Sequence, residues 1–407
     1  MGALSRNVFV RAALIAVGVA SSAASAAIVV GCQAAAKTTA ETSSTQSSTA
    51  NAKCFSAPRK FPTGADSSTV AIADFDGDRS PDLAVHDHEG ASAVILKNDG
   101  RGSFTRSAEL QTGKTPDWIA AGDLNGDLSP DLVTSNANGG TVSVLLNGGA
   151  GSFRPRTDYP AGQVPSFVLI GDVDGDGSSD LVVEDQVGPP YGLVLLNRGD
   201  GTFRPGPTLS IRQMGALADL NGDGKLDLVD REGRTVSVHL GRGDGTFAAG
   251  EPYGSINGPA SVAVGDLNGD GAVDLVTGDD GVGPMGTGDT VSVLLNHGDG
   301  TFTGSHDFTA GEYPSSVAIE DVTGDAKADI VSADAYTQNV SVLVNDGKAR
   351  FHERFVFPEQ EKPGGAESAA AADLNNDGEP DLVLLSGAVT VLLNVPGPCR
   401  NAVAYFD

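Results

Sequence analysis

A ten-residue aspartate phrase recurs seven times in this chain of 407 residues, and no other feature restricts the fold so tightly. It reads DFDGDRSPDL from Asp74, DLNGDLSPDL from Asp123, DVDGDGSSDL from Asp172, DLNGDGKLDL from Asp219, DLNGDGAVDL from Asp266, DVTGDAKADI from Asp321 and DLNNDGEPDL from Asp373, with starts 47 to 55 residues apart. Each copy follows a short run of small apolar residues, such as VAVG at 262–265, and leads into a strand-like run such as DLVT at 274–277. A further strand, VSVLLN or a variant, then turns through Gly-Asp-Gly into one that starts at Phe. The unit is four short strands with no room for a helix, and the 54 glycines suit its tight turns. A four-stranded sheet of about 50 residues cannot bury both faces alone, so neighbours stack on it, and seven such sheets fit a closed β-propeller. A linear β-solenoid is the alternative, although its Ca2+-binding versions have much shorter repeats.

Positions 1, 3, 5 and 9 of every phrase carry oxygen donors. They are Asp74, Asp76, Asp78 and Asp82; Asp123, Asn125, Asp127 and Asp131; Asp172, Asp174, Asp176 and Asp180; Asp219, Asn221, Asp223 and Asp227; Asp266, Asn268, Asp270 and Asp274; Asp321, Thr323, Asp325 and Asp329; and Asp373, Asn375, Asp377 and Asp381. Carboxylates brought to one point repel unless a cation lies between them, and hard oxygens in a flexible loop suit calcium. Up to seven Ca2+ are expected, enough to roughly halve the formal net charge of −27. An EF-hand needs Glu at position 12, where these loops carry Val85, Thr134, Val183, Asp230, Thr277, Ser332 and Leu384. The loop at Asp321, with Thr323 in its ligand set, is expected to hold calcium most weakly. Arg79, Leu128 and Ala326 take the position-6 place that is glycine in the other four loops, where a side chain strains the turn.

These repeats resemble the FG-GAP and VCBS repeat families, whose fold is the seven-bladed propeller of the integrin α-subunit head, over roughly residues 55–394. The resemblance implies an all-β propeller of four-stranded blades, a β-hairpin calcium loop in each blade, and an innermost strand just before each loop. The last phrase, VTVLLNVPGPC at 389–399, stops at Cys399 where other copies run on to Phe. The missing strand matches CFSAPRKFPTG at 54–64, so the N-terminal segment is expected to join the last blade and Cys54 to form a disulfide with Cys399.

Ahead of the repeats, Arg6 and Arg11 precede an uncharged run at 12–31 that ends in VVGC, similar to the lipobox of bacterial lipoproteins. Residues 1–31 read as a signal sequence, Cys32 as the lipidated anchor, 32–53 as a disordered tether, 54–400 as the propeller and 401–407 as a tail. The protein is expected to be exported and held at a bacterial membrane by lipid; release after Ala24-Ser25-Ala26 or retention as a single span are the alternatives.

The charge of −27 argues against nucleic-acid partners, which are held through Lys and Arg. No catalytic constellation is found. HDHE at 86–89 reads as a polar inter-strand turn rather than a metal site, and the two Arg-Gly-Asp triplets, at 198–200 and 242–244, as variants of the repeated turn. Five residues before each loop stand Thr69, Trp118, Phe167, Met214, Ser261, Ser316 and Ser368. The large apolar arc of Trp118, Phe167 and Met214, with Tyr313, Tyr191 and Tyr336 in neighbouring loops, is the candidate ligand-binding face, with channel filling as the competing role. The expected function is a calcium-stabilised, envelope-anchored binding or adhesion module for a protein or glycan; a polysaccharide-active enzyme and a purely structural envelope component are the alternatives.

Overall fold

The computed structural model describes residues 54–63, 67–189, 191–254, 258–279, 281, 288–358, 368–395 and 403–406. The expected signal sequence, Cys32 and its tether, and Cys399 lie outside these residues. Within them the chain is an all-β, seven-bladed propeller without helices. Blade 3 shows the plan: Pro165–Gly171, Asp180–Asp185, Gly192–Asn197 and Phe203–Leu209 pair antiparallel in chain order, from the innermost strand outward. Blades 1, 2, 4 and 5 repeat it over 70–111, 116–160, 213–254 and 259–309.

Burial follows position in the blade. The second strand is closed in on both faces, and Asp180–Asp185 is buried throughout, which explains its continuous apolar run in place of alternation. Outer strands alternate, as in Phe104–Gln111, because one face meets solvent. The cores lie between blades: Val133 and Val144 of blade 2 pack with Val168, Val182 and Leu195 of blade 3. Val70, Ile72 and Val85 of blade 1 pack with Ala370, Val383 and Val391 of blade 7. Blade 7 is thus seated on blade 1, and the sheet stack returns to its start.

The chain ends are woven into the last two blades. Blade 7 consists of Ser368–Ala372, Asp381–Leu385, Val389–Leu392 and, as its outer strand, Arg59–Phe61, which pairs Arg59 with Val391 and Phe61 with Val389. A two-residue ladder sets Cys54 opposite Val395 and Phe55 opposite Asn394. The expected tail at 401–407 is corrected: Val403–Phe406 is a strand that pairs with Phe351–Pro358 and gives blade 6 a fifth member. Backbone pairing needs only an open edge, which the outer strand of blade 6 supplies.

A side-chain tie joins the loop regions of neighbouring blades at six of the seven interfaces. The asparagine that ends the third strand donates to a carbonyl of the preceding blade's aspartate loop: Asn147 to Phe75 at 2.8 Å, Asn197 to Leu124 at 2.7 Å, Asn345 to Leu267 at 2.7 Å. Asn98 donates to Leu374 of blade 7 at 2.8 Å. The same amide also donates to its own blade, as Asn98 does to Pro81 at 2.9 Å, so a buried and a half-buried carbonyl depend on one side chain. Blade 4 has Gly241 at this place, and a Cβ there would lie 2.1 Å from the Leu226 carbonyl oxygen.

Candidate functional site

Every aspartate loop joins the first strand of its blade to the second and winds around the position-1 carboxylate. Asp74 accepts the amides of Gly77 at 2.8 Å, Asp78 at 3.1 Å and Arg79 at 2.7 Å; Asp172 repeats this with Gly175, Asp176 and Gly177. The position-6 amide reaches its carboxylate only if the backbone turns left-handed, and Arg79, Leu128 and Ala326 adopt φ of 71°, 67° and 64° without being glycine. The sequence-based expectation of strain at these three places holds. Position 5 accepts the amide two residues on, as Asp78 does from Ser80 at 2.9 Å, so the loop is preformed by its own hydrogen bonds.

The position-9 aspartates stand apart from the other three donors. Each is fully or almost fully buried and accepts one amide from its own loop and one from the end of the third strand: Asp131 takes Leu124 at 3.0 Å and Asn147 at 2.6 Å, and Asp381 takes Leu374 at 2.9 Å and Asn394 at 2.6 Å. Their first duty is to fasten the loop to the blade. Burial pushes Asp82, Asp131 and Asp329 up to about 7 and Asp180, Asp274 and Asp381 to about 6; backbone amides oppose the shift and, at all six sites, carboxylates of the same loop add to it; at Asp329 the Thr323 hydroxyl also opposes it. A positive charge at the loop would reverse that balance.

In two loops three carboxylates converge. The oxygens of Asp74, Asp76 and Asp78 lie within 4.8 Å of one another, as do those of Asp172, Asp174 and Asp176. A calcium ion with ligands at about 2.4 Å fits between oxygens so spaced, and the all-oxygen donor set is the kind it takes. These are the loops with Asp at position 3; the others have Asn or Thr there. The two convergent sites differ in their surroundings. Lys97, on the third strand of blade 1, bonds to Asp76 and lies 3.3 Å from Asp78. At the Asp172 loop the nearby cation is Arg204, 3.8 Å from Asp174 alone. Lys97 drew no attention at the sequence level. The signal was its place in the repeat, where the other six blades have Leu146, Leu196, Leu240, Leu295, Val344 and Leu393.

The expected ligand arc is corrected by its burial. Trp118 is 5% exposed, Phe167 6% and Met214 0%, and the Trp118 and Phe167 rings lie 4.0 Å apart between centroids. Three large side chains on adjacent inner strands meet each other, so they fill the space beside the axis. Two members of the hydroxyl arc bridge blades instead: the Ile119 amide donates to Thr69 at 3.2 Å and the Ala369 amide to Ser316 at 3.5 Å.

The tyrosines fare differently. Tyr191 is half-buried with the Arg212 guanidinium 4.5 Å over its ring. Tyr336 is 77% exposed, on the turn joining the second and third strands of blade 6. Tyr313, just before Pro314–Glu320, holds a left-handed φ of 65°. The Ala335 amide donates to Tyr313 at 2.9 Å and the Tyr336 amide to Glu312 at 3.2 Å, which fixes both tyrosines on one rim, at the opposite end of the blade from the Asp321 loop.

The remaining motifs are structural. His86 is a buried strand residue 2.9 Å from the Thr69 hydroxyl, pushed down to about 3 by burial, whereas His88 faces the Pro116 carbonyl at 3.2 Å; HDHE therefore straddles a strand end and is not wholly turn. In both Arg-Gly-Asp triplets the arginine bonds within its own turn, Arg198 to Phe203 at 2.9 Å and Arg242 to Phe247 at 2.6 Å, while Asp200 and Asp244 accept from Thr202 and Thr246.

A family model described as FG-GAP-like repeat matches residues 74–134, 123–183, 219–277, 282–332 and 321–384, well over half of the chain. No curated protein matches. Among solved structures, the chain is similar to an Agrocybe aegerita lectin that specifically recognises non-reducing terminal N-acetylglucosamine, with 22% identity, a TM-score of 0.53, and coverage of 81% of this chain and 86% of that one. It is also similar to BBS1N, solved in complex with ARL6DN (14% identity, TM-score 0.58, 86% and 98% covered), and to Staphylococcus aureus virginiamycin B lyase (14%, 0.52, 84% and 100%). At these identities the likeness concerns the fold.

Proposed function

This chain belongs to the FG-GAP-like repeat family, and from that premise we propose that it is a calcium-stabilised binding propeller, held at the bacterial envelope by lipid at Cys32, that recognises a protein or glycan through the face opposite its aspartate loops. The observation that carries the reading is the blade 6 rim. Tyr336 offers an exposed ring, and Tyr313 keeps a backbone conformation that a bulky side chain adopts at a cost, held by the turn beside it. An aromatic ring with a hydroxyl suits both sugar faces and peptide surfaces. A lectin and a protein-binding domain among the structural neighbours accord with this, although they speak for the fold only. Calcium, where bound, neutralises converging loop carboxylates; Asp172, Asp174 and Asp176, backed by Asp180, are the residues best placed to hold it.

The test has two arms. Glycan-array and pull-down screening of the calcium-loaded protein is expected to give a ligand whose capture Tyr313→Ala with Tyr336→Ala abolishes while the melting temperature stays within about 2 °C. Trp118→Ala, in contrast, is expected to lower the melt, since removing a buried Trp costs about 3–5 kcal/mol. Capture that survives the tyrosine changes refutes the rim. A melting temperature that a chelator leaves unchanged, together with no calcium by elemental analysis, refutes the calcium role.

A further inference from the structure

The Lys97 side chain sits where a calcium ion would be expected to act. Its ammonium bonds to Asp76 and lies 3.3 Å from Asp78, two of the three carboxylates that converge in the blade 1 loop. The placement is built into the repeat. In other blades this third-strand residue lies against the Gly-Asp-Gly turn of the next blade: a Cβ on Gly201 would meet Leu146 at 2.7 Å, and one on Gly300 would meet both Leu240 and the Asn221 Cβ of the preceding aspartate loop, at 3.0 and 3.4 Å. The leucine position is therefore next to position 3 of its own loop. A lysine there needs no unusual path to reach that carboxylate.

We propose that Lys97 is the resident cation of the blade 1 loop, so that one of the two loops with four aspartates is one that calcium fills poorly. The inference rests on the calcium reading of the other loops. A tethered ammonium acts at an effective concentration of millimolar or above, and Ca2+ must displace it from two carboxylates before binding. The other lysines do not interfere in this way: Lys225 and Lys327 each touch one position-5 carboxylate of their own loop, Asp223 at 3.4 Å and Asp325 at 2.9 Å. At the Asp172 loop Arg204 approaches a single carboxylate at 3.8 Å and leaves the others to an ion. Blade 1 thus exchanges a metal-dependent clasp for a permanent one, beside the turn of blade 2 that contains Gly151.

Calcium titration with elemental analysis of the dialysed full chain tests this directly. Lys97→Leu, which restores the residue of five other blades, is expected to bind one more equivalent of Ca2+ than the parent, or to raise the affinity of its weakest site at least tenfold. Asp76→Asn in the parent is expected to leave the stoichiometry unchanged, whereas Asp174→Asn loses one equivalent. In chelator, Lys97→Leu is expected to melt below the parent, because the three carboxylates then lack any counter-charge. Equal, non-zero calcium binding by parent and Lys97→Leu overturns the inference and leaves the calcium reading standing. The loss of one equivalent in Asp76→Asn also overturns it. If neither protein binds calcium, both fall.

Discussion

Replacing Asp279 by Asn should make the propeller more stable at neutral pH, and by an amount that depends on pH. Asp279 ends the second strand of blade 5, is 0% exposed, and accepts the hydroxyls of Thr277 at 2.8 Å, Thr290 at 2.9 Å and Ser292 at 2.7 Å. Ser292 lies equally close, 2.8 Å, to Asp307, and its single hydroxyl proton cannot serve both carboxylates. The ladder is balanced when Asp279 is protonated and donates. Burial accordingly pushes Asp279 up to about 6, against the pull of the three hydroxyls and with Asp307 adding to the rise. Blade 2 contains the neutral form of the same ladder: Asn136 accepts from Thr134 and donates to Thr141 and to Ser143, which donates to Asp158. A carboxyl raised in the fold above its unfolded value near 3.9 binds more protons folded than unfolded, so stability falls as pH rises between the two values. From about pH 4 to pH 7 the loss amounts to about 3 kcal/mol at this one group. With a transition entropy of roughly 0.7 kcal/mol/K for a ring of about 340 residues, Asp279→Asn should gain about 4 °C on the parent across that interval. Thermal melts of both proteins at pH 4.5 and 7.5, at fixed calcium, read the difference. A melting-temperature difference that is the same at both pH values would show that Asp279 is ionised without penalty, and the reasoning would fail.

Two other outcomes follow from the seam between blades 7 and 1. Asn98→Ala orphans the buried carbonyl of Leu374 and the half-buried one of Pro81 and should cost about 2–4 kcal/mol, read as a fall of about 3–6 °C in the melt; a change below about 1 °C would mean that water replaces the amide at no cost. The Cys54–Cys399 disulfide is expected in exported protein, and intact mass with and without reductant, after alkylation of free thiols, measures it: a mass of two free thiols in the oxidised sample rules the bond out.

The propeller was legible because its loops are written in chemistry that hardly varies: the position-1 aspartate, the turn residues and the strand after them recur in register, and each demands the same local backbone. The side-chain ties were less legible. The Asn of VLLN marks a strand end in the sequence, but that its amide crosses to the previous blade follows only from how the sheets are stacked. Position 9 looked like one more ligand, since spacing cannot distinguish an oxygen aimed at the loop centre from one aimed at two amides. Trp118, Phe167 and Met214 were read as a candidate ligand face, with channel filling as the competing role, because the alignment shows which blades carry large residues and not that neighbouring blades press them together. The fifth strand of blade 6 hid in a short terminal run outside the repeat, with no copy in another blade to mark it. Lys97 was visible as an exception in the repeat and Asp279 as a recurring residue, shared with Asp87, Asp185 and Asp334, yet only coordinates show what each one faces.

The outer strand of blade 7 is supplied by Arg59–Phe61, far ahead in sequence of the rest of that blade, and this decides how the domain responds to force. Tension applied through the residues ahead of Cys54 is borne first by the pairing of Cys54 and Phe55 with Val395 and Asn394, then by Arg59–Phe61 on Val389–Leu392. The same load crosses the other blades in series, but these short ladders have the fewest backbone bonds to resist it. Without a Cys54–Cys399 bond the domain would yield there first, giving up a strand while six blades stay folded; with that bond formed, the load would pass from Cys54 straight to the C-terminal segment and the two ladders would be spared.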